Sequence, residues 1–115
     1  MKIDPWHDYH EQMSQLGKCR WSIARLIELS KGLPVMDVPL DHLDVSKRYE
    51  NLRMRDMVSH IKAVLDADLS HPIIMDEDGE IMDGRHRIMK CLLEGIPTIK
   101  AVRFDVNPTP CRVDD

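Results

Sequence analysis

Apolar positions recur along this chain with two different periods. Over 52–67, Met54, Met57, Val58, Ile61, Val64 and Leu65 return at spacings of three and four, while Arg53, Arg55, Lys62 and Asp66 fall off the stripe. That spacing predicts an amphipathic helix with its stripe turned to a core. Ser70-His71-Pro72 ends it, because the residue before a proline is pushed out of helical space. A second clear helix is predicted over 84–94, with Ile88, Met89, Leu92 and Leu93 as its buried side and Gly95 then Pro97 as its stop.

Elsewhere the period is two. Val35, Asp37 and Pro39 alternate with Met36, Val38 and Leu40, which predicts a strand, and Pro39 places it at a sheet edge or near its own end. Ile73-Ile74-Met75 reads as a short buried strand, Asp78-Gly79 as a hairpin turn, and Glu80-Ile81-Met82 as the returning strand. Ile99, Ala101 and Arg103 alternate with Lys100, Val102 and Phe104 in a last strand. Between the first strand and the long helix, 41–51 is a polar connector carrying Lys47, Arg48, Tyr49 and Glu50, residue types suited to ligand contacts from a loop.

The chain ends carry weaker patterns. Residues 5–16 read as a helix with Pro5 at an early position, Gly17 interrupts, and 18–30 reads as a second helix bearing Trp21, Ala24, Leu26, Ile27 and Leu29. The expected organisation is a helical appendage over 1–33, a main domain over 34–105 and a tail over 106–115, where Pro108 and Pro110 oppose regular structure. The appendage is expected to lid the core or to dock a second subunit or partner chain. The expected fold class is α+β (α/β), a small mixed sheet with packed helices.

Composition narrows the function classes. A length of 115 residues with 43% hydrophobic content suits one domain with a real core. A net charge of −4 argues against a dedicated DNA-binding face, although Arg85, His86, Arg87 and Lys90 would make a local basic patch. Cys19, Cys91 and Cys111 are odd in number and scattered, so a reducing cytoplasm is expected rather than a disulfide framework. No apolar run reaches the roughly 18 residues of a membrane span. The polar, acidic N-terminus does not resemble a secretory signal. His7, His10 and Glu11 share one helical face but lack the order of a zinc-hydrolase motif, so they read as a solvated surface and no metal site is expected.

The chemistry concentrates at Asp83-Gly84-Arg85-His86-Arg87, where a strand passes into a helix. The first N–H groups of a helix lack intrahelical partners and, with the dipole, attract anions. Cationic side chains at that end are unfavourable by themselves, so two arginines and a histidine there imply an anionic partner. Each guanidinium can grip a phosphate through paired hydrogen bonds. Gly84 would let a ligand approach the backbone, and His86 can donate to it. Asp83 is expected to cap the helix, to orient an arginine or to hold a hydrated Mg²⁺.

At these residues the sequence resembles the ParB/sulfiredoxin superfamily. Asp83-Gly84-Arg85-His86-Arg87, with the hairpin before it and the apolar helix after it, is similar to that superfamily's phosphate-binding motif, and the resemblance runs from about Leu33 to Asp105. It implies binding of ATP, ADP or CTP by Gly84, Arg85, His86 and Arg87. It also implies a phosphoryl-transfer or nucleotide-hydrolysis activity, in which Asp83 or Glu50 positions Mg²⁺ or accepts a proton. Arg85 stands where sulfiredoxins carry their catalytic cysteine, so that chemistry is not expected. Partition proteins follow this domain with DNA-binding and dimerisation regions, and neither is expected so soon before the end of this chain. The alternatives are a nucleotide-binding regulatory module without turnover and, last, a DNA-associated nuclease.

Overall fold

The computed structural model describes residues 13–114, so the sequence expectations for His7, His10, Glu11 and most of the first helix lie outside the described residues. The centre of the molecule is a four-stranded sheet. Its strands are β3 (Met36–Pro39), β4 (Ile73–Met75), β5 (Ile81–Asp83) and β6 (Thr98–Arg103), in the order β3-β6-β4-β5. The β4–β6 pair is parallel and the other two pairs are antiparallel, so the sheet is mixed. Pro39 ends the edge strand β3, where its missing N–H costs no central ladder bond.

The helix α3 (Arg85–Glu94) covers one face, and α2 (Met54–Asp66) packs against α3. A shorter helix, α1 (Ile23–Ser30), belongs to the opposite side. The order strand, loop, α2, β4, Asp-Gly turn, β5, α3, β6 is the order expected from periodicity. Together these elements make an α+β fold.

Alternation along the short strands splits the core into two layers. Ile73, Met75, Ile81, Ile99 and Ala101 face Ile88 and Cys91 on one side of the sheet. Ile74, Met82 and Val102, their neighbours in sequence, face the other side with Phe104, Trp21 and Leu26. Successive strand residues point to opposite faces, so a sheet covered on both sides reads as an unbroken apolar run.

The second layer corrects the expectation for the chain ends. Residues 13–22 are not helical: β1 (Met13–Leu16) and β2 (Cys19–Ser22) form an antiparallel hairpin around Gly17. Only α1 remains of the expected appendage helices within the described residues, started by the Ser22 side chain accepting from Arg25 N–H. The expected tail also pairs, because β7 (Arg112–Val113) joins β2 to complete a three-stranded sheet. Leu26 is fully buried, and the Trp21 indole N–H donates to the Pro108 carbonyl at 2.8 Å. Residues 16–33 therefore contribute to the core, and 108–113 pack over them through a sheet strand and a hydrogen bond.

Candidate functional site

A cleft of about 840 Å³ opens where β5 passes into α3, and residues from five segments line it. Met13, Ser14 and Gln15 come from β1, Ile23 and Ile27 from α1, and Lys47 and Tyr49 from the loop before α2. His60 and Ala63 come from α2, and residues 82–87 from the β5–α3 junction.

At that junction Gly84, not Asp83, is the residue that caps α3, and it makes no side-chain cap. Its φ of 113° is a left-handed conformation that side chains resist. A Cβ built there would overlap Ile73 Cγ2 and lie 2.8 Å from Ile73 Cβ. The glycine is thus required for α3 to sit closely on β4, whereas the sequence alone suggested a ligand's approach. The first helical bond runs from Ile88 N–H to the Gly84 carbonyl at 3.1 Å, which leaves the N–H groups of Arg85, His86 and Arg87 ahead of the helical ladder.

Asp83 orients an arginine rather than capping the helix. Its carboxylate accepts from the Arg87 guanidinium at 3.1 Å, both side chains being about one-fifth exposed. Arg87 also donates to the Pro72 carbonyl at 3.4 Å, while its Nε is buried without a partner among the described residues. Such an orphaned donor on a cation is costly and would be relieved by an acceptor. Arg85 donates weakly to the Ile81 carbonyl at 3.3 Å and lines the cleft. Lys90 does not join the patch: its ammonium donates to the Leu65 and Ala67 carbonyls at 2.9 and 2.8 Å, satisfying the C-terminal end of α2. Glu50 and Arg48 are exposed on the loop and are not among the lining residues.

Opposite the junction stands a histidine that the sequence did not single out. His60 Nδ1 lies 2.9 Å from His86 Nε2, within hydrogen-bond distance. Tyr49 meets His60 edge to face with centroids 5.2 Å apart, and the Lys47 ammonium lies 5.2 Å from the Tyr49 ring centroid. Burial lowers the His86 pKa first, and the neighbouring His60 and Arg87 lower it further against the opposing pull of Asp83. Burial likewise raises the Tyr49 phenol and lowers the Lys47 ammonium, the latter helped by Arg85. His60 had a signal in the sequence, since it falls three residues after Met57 and four before Val64, a titratable side chain on an apolar stripe.

The cleft can therefore receive an anion at one end and an apolar or planar body at the other. Arg85, Arg87 and Lys47 supply permanent positive charge, and the helix start supplies unpaired donors. Met13, Ile23, Ile27, Ala63 and Met82 supply an apolar wall. No family model, curated protein or solved structure matches the chain.

Proposed function

We propose that this chain is a ParB-like domain that binds a nucleotide triphosphate or diphosphate, or another phosphate-bearing ligand, in the cleft at the β5–α3 junction. The observation that carries the reading is Arg87: its guanidinium is held by Asp83, yet its buried Nε has no partner among the described residues. Arg85, the first N–H groups of α3 and Lys47 would surround the same anion. The apolar wall suits the base and sugar of ATP, ADP or CTP, and the cleft is of the size that small-molecule sites occupy. Mg²⁺ would arrive on the nucleotide's own phosphate oxygens.

A thermal-shift series with ATP, ADP, CTP and inorganic pyrophosphate, each with and without Mg²⁺, tests the reading. A ligand at about 100 times its dissociation constant should stabilise the fold by about 2.7 kcal/mol. Arg87→Ala should remove the shift. No response to any of the four would overturn the proposal.

A second reading, a nucleotide-responsive interaction module without turnover, is favoured by one feature. Met57, Ile61 and Leu65 of α2 and Leu93 of α3 are exposed around a groove of about 380 Å³, an apolar face of the kind that receives partners. Saturable binding with no product would select it.

A further inference from the structure

We propose that the His60–His86 pair is the proton acceptor of a phosphoryl-transfer reaction in this cleft, taking the proton of an attacking water or hydroxyl group. The proposal rests on the phosphate-ligand reading above and adds a reaction and its base. Asp83 gives one oxygen, Oδ2, to the Arg87 guanidinium and is a carboxylate, ordinarily a weaker base than imidazole. Glu50, the loop acid expected from the sequence, does not line the cleft. Tyr49 keeps its proton more firmly than usual because it is partly buried, and Arg85, Arg87 and Lys47 are cations. That leaves the two imidazoles as the lining side chains ordinarily basic enough to take a proton near neutral pH.

Their geometry gives that lone pair a defined place. With His60 Nδ1 and His86 Nε2 joined at 2.9 Å, the outer nitrogens are His60 Nε2 and His86 Nδ1. In a neutral pair the inner bond uses one N–H and one lone pair, so one outer nitrogen must be an acceptor and the other a donor. This follows whichever ring donates. The pair can thus take a proton at one outer nitrogen, shift the inner proton across, and release another from the far nitrogen.

The step balances without a further reactant. The acceptor O–H bond breaks and its proton passes to the accepting outer nitrogen. The freed oxygen bonds to the terminal phosphorus of the bound phosphate anhydride. The bond from that phosphorus to the bridging oxygen breaks, and its electron pair stays on the leaving phosphate beside Arg85 and Arg87. The pair then returns its extra proton to solvent. The charged and titratable groups around the pair are Lys47 and Tyr49 on the loop, Asp83 at the end of β5, and Arg85 and Arg87 on α3. At His86, burial, His60 and Arg87 oppose protonation against the pull of Asp83, which favours a neutral ring able to accept.

Release of phosphate from ATP and from CTP with Mg²⁺, measured across pH for the wild type, His60→Asn, His86→Gln and Glu50→Gln, tests the proposal. Binding of inorganic pyrophosphate to each variant is measured alongside. Turnover should fall on the acid side as His86 takes up a proton. His60→Asn keeps a donor to His86 and should lower kcat roughly a hundredfold. It should also move the acid limb to higher pH, because His60 no longer depresses His86, while pyrophosphate affinity changes less than threefold. His86→Gln should abolish turnover and retain the fold by circular dichroism. A Glu50→Gln variant that loses turnover while His60→Asn retains it would place the base on the loop and overturn the proposal. Pyrophosphate binding without nucleotide turnover would also overturn it while leaving the binding reading standing. Failure to bind either nucleotide or pyrophosphate would overturn both.

Discussion

Arg87, Gly84 and His86 show how much single residues decide here. Asp83 ends β5 and Arg87 sits in the first turn of α3, and the turn at Gly84 brings the carboxylate to the Arg87 guanidinium. Replacing it by lysine keeps the charge and loses the planar fork, so Arg87→Lys should weaken pyrophosphate binding at least tenfold by isothermal titration. Gly84→Ala adds a Cβ into Ile73 and forces a side chain to φ 113°. Its cost should be about 2 kcal/mol or more, read as a lower denaturant midpoint with an unchanged slope. His86 has a lowered pKa in the folded state, so between its usual value near 6.5 and its folded value the unfolded chain binds more protons. Stability should therefore fall as pH drops through that window, and His86→Gln should flatten this part of the stability–pH curve. Cys111 and Cys91 should differ in the same way that their surroundings do. The Cys111 sulfur is exposed and accepts from Ser22 N–H and Arg25 at 3.4 Å, which lowers its pKa. Cys91 is buried and raised. Iodoacetamide labelling followed by mass spectrometry should modify Cys111 well before Cys91.

At the scale of elements, the periodic segments were legible and the hairpin was not. Strands β3 to β6 and helices α2 and α3 fall where alternation and 3.6-residue spacing place them. In 13–22, Ser14 and Trp21 are the buried positions, one on each strand of the hairpin. They pair directly across it, a relation that no local period displays. Trp21 makes the hairpin part of the core by packing with Ile74, Val102 and Phe104 and by bonding Pro108. Trp21→Ala should therefore cost about 3–5 kcal/mol, and hydrogen exchange should accelerate in β1, β2 and the strand at 112–113 together. The period was right for α2, but its direction was not. Val64 is buried, while Met54 is 85% exposed and Ile61 53% exposed, so the stripe lies mostly outside the core. Leu92 and Leu93 of α3 are exposed in the same way.

Seen whole, the molecule is three layers: the hairpin with α1 and β7, the central sheet, and α3 with α2 packed against it. The outer apolar face of the third layer should tolerate charge. Ile61→Glu should change the unfolding free energy by no more than about 0.5 kcal/mol, against the 2–5 kcal/mol expected of a core aliphatic position. Among the described residues no helix is long and apolar enough to cross a membrane. The sequence alone determined the order of strands and helices in the central domain and the position of the cationic helix start. Both are local properties, set by periodicity and by which residues flank a turn. Only the tertiary structure decided which stripe is covered, that Trp21 and Leu26 enter the core, and that Gly84 serves packing against Ile73. It alone brought His60 to His86 across 26 residues of sequence while leaving Glu50 outside the cleft. The physical reason is the same in each case. Hydrophobic burial and ionic pairing act between surfaces that meet in space, and a one-dimensional period fixes which face a side chain occupies but not what that face will meet.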